Sequence, residues 1–174
     1  MDARKTNPEA QITSFFAKYD PAIAKLGKAV RAKLRARLPG LTEIVYVYEN
    51  QNSLVISYSP TERGFEGVCG LSVYPDRVQL FFGQGAQLSK SDPHKLLQGS
   101  GKAVRHLALE AAADFDRAEV EALMTAAVKL AKVRLDASAK GAVILKAEEQ
   151  KQRARRTTKA PRAASSRSTP KSRR

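Results

Sequence analysis

Cysteine occurs once in this chain, as Cys69, which excludes an internal disulfide and fits a reducing compartment. Histidine is nearly as scarce. His94 and His106 are the only two, and a metal site takes three or four ligands. No apolar run approaches the roughly 18 residues of a membrane span. The opening MDARKTNPEA holds no apolar stretch of the kind a secretory leader carries, so a cytoplasmic compartment is expected. Gly-x-Ser-x-Gly, His-Glu-x-x-His and Cys-x-x-Cys are all missing, which leaves no nucleophile with a recognisable partner. No catalytic residue, metal ligand or cofactor is expected.

What the chain has in excess is positive charge. Its 174 residues carry a formal net charge of +14, and the length fits one domain plus an extension. The charge is unevenly spread. Residues 146–174 hold eleven Lys/Arg against Glu148 and Glu149, a net of +9, while residues 1–145 supply the other +5.

Asn7-Pro8-Glu9 and Asp20-Pro21 each combine an Asx cap with proline at the first helical position. The first short helix has Ile12, Phe15 and Phe16 on an apolar face. The second carries Ile23, Leu26, Val30, Leu34 and Leu38 at three-and-four spacing and ends at Pro39-Gly40. Four strand-like runs follow: Thr42–Tyr48, Ser53–Ser59, Val68–Tyr74 and Val78–Phe82. Alternation puts Leu54, Ile56 and Tyr58 on one side, joined by Cys69, Leu71, Val73, Val78, Leu80 and Phe82. Val45, Val47, Val55, Tyr74 and Phe81 are expected on the opposite, open face, where a small ligand or a protein would find contact. Ala103–Leu109 is a fifth strand. Asp116 with Glu119 makes an acidic capping box for a helix through Val120, Leu123, Met124, Ala127 and Leu130 to about Leu135. Ala142 to Gln152 is expected to be a further helix.

The expected fold is α+β: a two-layer sandwich with an antiparallel sheet of about five strands and the N- and C-terminal helices on one face. Residues 7–145 form the domain. Residues 146–174 form a basic Ala/Ser/Pro-rich tail, helical at its start and then disordered, since beyond Arg153 nothing apolar exceeds alanine.

Between the fourth and fifth strands lies FFGQGAQLSKSDPHKLLQGSGKAVRHLAL, from Phe81 to Leu109. Gly99-Ser100-Gly101-Lys102 invites an anion-binding reading, in which backbone N–H groups and a lysine cradle a phosphate. Ser100, Lys102 and Arg105 would then do the holding, with lysine as a point charge and arginine as a fork. The P-loop pattern fails, however, because Leu96 replaces its first glycine and Ala103 its Ser/Thr. The competing reading, which is favoured, makes Gly99 a cap and Gly101 the pivot of a tight turn. His94 and His106 read as structural. Asp114, Asp116, Glu119 and Glu121 surround a helix N-terminus, where negative charge is favourable, and read as capping.

The order of these residues resembles a known family. A helix, Pro39-Gly40 and Glu43-Ile44 entering a sheet come first. Gly85-Ala86-Gln87-Leu88 with Asp92-Pro93 follow, and then Leu97-Gln98-Gly99-Ser100-Gly101-Lys102 runs into Val104-Arg105-His106-Leu107. This resembles the YdhG-like family of small bacterial domains of unknown function over about Phe15 to Lys132. The resemblance implies a frataxin-like fold and, as an alternative function, an intracellular iron chaperone or iron-sulfur accessory protein. Such a role would use acids near the first helix and strand, where only Glu9, Asp20, Glu43 and Glu49 lie. The second helix instead carries Lys25, Lys28, Arg31, Lys33, Arg35 and Arg37 with no acid between them. A face that basic repels a cation.

The tail is the plainest functional signal. Lys151, Arg153, Arg155, Arg156, Lys159, Arg162, Arg167, Lys171, Arg173 and Arg174 stand among Ala, Ser, Thr and Pro. Such a segment neutralises phosphates without reading sequence. The expected function is a non-enzymatic ligand- or partner-binding module whose tail gives non-specific nucleic-acid binding. A merely solubilising tail is the competing reading. The oligomeric state is left open.

Overall fold

The computed structural model describes residues 7–147. The basic tail residues named above, from Lys151 to Arg174, lie outside them. The described residues are α+β, with a mixed, open six-stranded sheet and four helices. Helix α1 (Pro8–Phe16) starts where the Asn7 side chain accepts the Glu9 N–H at 3.0 Å. Helix α2 (Pro21–Arg37) buries Ala24, Gly27, Val30 and Leu34. Ile23 and Leu26, expected inside, are only half-buried. The helix is turned so that Gly27 faces α1: a Cβ there would come within 2.7 Å of the Phe16 ring. The absence of a side chain lets the two helices meet. Gly40, at φ +84, then turns the chain into the sheet.

Strands β1 (Thr42–Tyr48), β2 (Ser53–Ser59), β3 (Cys69–Val73), β4 (Val78–Phe82) and β5 (Arg105–Leu109) form an antiparallel series. The short helix α3 (Gly85–Leu88) follows β4, and α4 (Ala118–Leu130) follows β5. The last element corrects an expectation. Residues 143–147 are not helical but form β6 (Val143–Ala147), parallel to β1, and the strand order is β5-β4-β3-β2-β1-β6. Val143-Ile144-Leu145 is a short apolar run with two β-branched residues, and β1 otherwise has an unpaired edge to offer it. Gly141 makes the approach possible: a Cβ there would fall 1.8 Å from the Leu41 carbonyl oxygen. Helix α4 also ends sooner than expected, at Leu130, with Lys132 in the left-handed region at φ +55.

Register partners share a side of the sheet. Val45 pairs with Ile56 and Val47 with Leu54. Both valines therefore face inward, contrary to expectation, and pack with the core. That core joins Ile12 and Phe16 of α1, Val30 and Leu34 of α2, and Val120, Leu123 and Met124 of α4 to the sheet side bearing Leu54, Ile56, Leu71, Leu80 and Leu107. Each such side chain contributes about 1.5–3 kcal/mol on burial.

The opposite side carries Ile44, Tyr46, Tyr48, Val55, Ser57, Phe81 and His106 by alternation. Part of it is roofed by residues 60–67. Ser57 Oγ donates to the Gly64 carbonyl at 3.1 Å and Ser59 Oγ to that of Arg63 at 2.8 Å. Under this roof Ile44, Ser57 and Ser59 are buried.

Candidate functional site

The loop of Gly99, Ser100, Gly101 and Lys102 closes where Gln98 and His106 exchange backbone hydrogen bonds of 2.7 and 3.0 Å. Gly99 sits at φ +119, a conformation that favours glycine. Residues 99–104 are all exposed. Arg105 does not present its fork outward. Its Nη1 donates to the carbonyls of Gly101 and Val104, at 2.5 and 2.8 Å. The loop thus turns carbonyl oxygens toward a cation, the reverse of an anion cradle. Lys102 remains an exposed point charge. Asp92 anchors the approach by accepting the Leu97 N–H at 2.8 Å, and Gly85 packs on the base of Arg105.

Cys69 and His106 lie on opposite sides of the sheet, and His94 is exposed on the loop that leads to Gln98. Burial pushes the Cys69 thiol up to about 12, which favours the protonated, unreactive form at neutral pH. Among the described residues, no three His, Cys, Asp or Glu side chains gather in a metal-binding arrangement.

The basic helix α2 is more heavily engaged than its composition implies. The Arg31 guanidinium grips Glu9 with two bonds of 2.8 and 2.9 Å and Glu43 with two of 2.6 and 3.2 Å. Glu43 is only 3% exposed, and its Oε1 also accepts from the Tyr58 hydroxyl at 2.7 Å. Desolvation works against the Arg31 charge, but the hydrogen bonds to Glu9 and Glu43 outweigh it and raise its pKa. The same contact with Arg31 holds the Glu9 carboxyl below its ordinary value. Burial, reinforced by the Glu43 charge, raises the Tyr58 hydroxyl well above its ordinary value.

Lys33 pairs with Asp116 at 2.5 Å, Arg35 with Glu9 at 3.3 Å and Arg37 with Glu121 at 2.8 Å. Asp116 therefore serves an ion pair. The side chain at the α4 N-cap position is that of Arg117, and it makes no capping bond. Asp114 does cap locally, accepting the backbone N–H groups of Glu110 and Ala111 at 2.9 Å each.

A cleft of about 570 Å³ opens between the end of α1 and the tip of the β1–β2 hairpin, lined by Phe15, Lys18, Tyr19, Tyr48, Glu49 and Leu54 among others. Tyr19 forms a fixed wall. Its hydroxyl donates to the Asn52 carbonyl at 2.8 Å and, more weakly, to that of Val73 at 3.3 Å, and burial pushes its pKa up to about 12. Nothing in the sequence pattern points to this cleft, because it joins residues some thirty positions apart.

On the open side of the sheet Tyr46 and Tyr48 stack with ring centroids 6.4 Å apart and planes 24° from parallel. Val55 and Phe81 lie on this side as expected, while Tyr74 stands in the β3–β4 turn under the Arg77 guanidinium, 4.1 Å from its ring centroid. Lys146 of β6 reaches across and donates to the Glu62 carbonyl at 2.9 Å.

No family model, curated protein or solved structure matches this chain.

Proposed function

We propose that the chain is a non-enzymatic binding module whose basic C-terminal segment holds it on nucleic acid without reading sequence. In this reading the body is a two-layer sandwich of YdhG-like, frataxin-like type. Its open sheet face meets a ligand or partner.

The observation that carries the reading is how differently charge is handled along the chain. On α2, four of the six cations are matched by acids of the body. In residues 146–174, eleven Lys/Arg meet only Glu148 and Glu149. Unmatched cations on a chain without large apolar residues release counterions from a phosphate backbone and recognise no base.

The test is an electrophoretic mobility comparison between the full chain and a chain ending at Ala147. The full chain is expected to retard DNA of any sequence, with retardation fading as salt rises, and the shortened chain to leave it unretarded. Equal retardation by both would move the site onto the body and end this reading.

A further inference from the structure

The open face of the sheet has the composition of a base-stacking surface. Tyr46 and Tyr48 alternate along β1 and stack on each other, half-buried. Phe81 on β4, three strands from β1, and His106 on β5, four strands from it, are register partners, also half-buried. The Phe81 ring lies against Gly70, where a Cβ would meet it at 2.3 Å. Neighbouring strands lie about 4.8 Å apart, so Phe81 stands about 15 Å across the sheet from β1, on the register line of Ile44. Val55 lies between them, on the same side.

The surroundings of this face favour one kind of occupant. Lys146 shares the face at the β6 edge, and the segment carrying the excess of Lys and Arg continues directly from Ala147, the register partner of Val47. The nearest acids are those of the roof and the hairpin tip. Glu66 is engaged by Thr61 and Arg63, while Glu62 and Glu49 are exposed. Rings flanked by cations suit a polymer that has aromatic bases and a phosphate backbone together. A duplex keeps its bases stacked inside and cannot lay them on a flat sheet.

We propose that this face, with Tyr46, Tyr48, Phe81 and His106 as stacking rings, binds single-stranded nucleic acid. The proposal rests on the reading that the basic segment holds the polymer, and it names the form of polymer selected.

The experiment uses the full chain, fluorescein-labelled oligothymidine and oligouridine 20-mers, and a 20-base-pair DNA duplex, with anisotropy read at one salt concentration. At least one single strand is expected to bind at least tenfold more tightly than the duplex. The Tyr46→Ala/Tyr48→Ala double variant should lose about tenfold or more for that strand, as removal of a stacking ring does, and less than twofold for the duplex. The Tyr46→Phe/Tyr48→Phe variant keeps both rings and should keep the affinity. If the alanine variant fails to fold, tyrosine emission of the unaltered chain decides. The chain has no tryptophan to mask it, and unlabelled oligothymidine or oligouridine should quench it where saturating duplex does not. Equal affinity for all three probes, equal behaviour of the alanine and phenylalanine variants, or unquenched emission would overturn the stacking face and leave the tail reading standing. Failure of the unaltered chain to bind any of the three would overturn both.

Discussion

Helix α2 and the C-terminal segment are both crowded with Lys and Arg, yet acids are available to the two in very different numbers. On α2 four of the six cations are tethers. Arg31 binds α1 through Glu9 and β1 through Glu43, Lys33 reaches Asp116, and Arg37 reaches Glu121 on α4. In residues 146–174 the acids needed for such pairing are absent from the sequence but for Glu148 and Glu149. Similar densities of positive charge can therefore do unlike work: on α2 they position helices, and in the proposed reading those of residues 146–174 are left for an external polyanion. A count of Lys and Arg does not separate the two. The location of the acids does.

The comparison breaks most sharply at Arg31. Arg31→Ala leaves Glu43 buried without its cation, which costs about 3–5 kcal/mol when a buried pair is broken, read as a lower urea midpoint at pH 7. A loss of under 1 kcal/mol would mean that the pair is not a tether. The acid branch of the stability profile gives a second, smaller effect. Arg31 lowers the Glu9 pKa below 4.5. That stabilisation is complete above pH 4.5, where the unfolded carboxyl is ionised, and drains away as pH falls through the lowered folded value. In Arg31→Ala the acid branch should flatten; an unchanged branch would assign the shift elsewhere. Smallest is Arg37→Ala. Its pair with Glu121 is partly solvated, so about 0–1 kcal/mol is expected, and a larger loss would make the rim as important as the buried centre.

How far the sequence reveals this arrangement depends on the element. The inward residues of β2, β3 and β4 follow from clean alternation, as in Leu54, Ile56 and Tyr58. Strand β1 gives no such cue, because Ile44, Val45, Tyr46, Val47 and Tyr48 are apolar or aromatic at both parities. Its side is set by pairing with β2, and with it the burial of Glu43. Strand β6 is hidden for a related reason. Five residues in an Ala/Lys/Glu-rich context look helical locally, and only the free edge of β1, some hundred residues earlier, selects a strand. The Gly99–Lys102 loop is legible as turn chemistry from its glycines. The inward fold of Arg105 onto carbonyls is not, since an arginine beside a glycine loop reads equally well as an anion fork. The mixed parity of β1 likewise hides which side Tyr46 and Tyr48 face.

The central claim is that phosphate contacts come from the C-terminal segment and not from α2. It is tested most directly by the salt dependence of DNA affinity. Each contact adds about 0.7–0.9 to the log–log slope, so replacing Arg153, Arg155 and Arg156 with Gln should lower its magnitude by about 2–3. The same exchange at Lys25 and Lys28, which make no ion pair among the described residues, should leave it unchanged. A slope that falls for the α2 pair and holds for the three arginines would contradict the account.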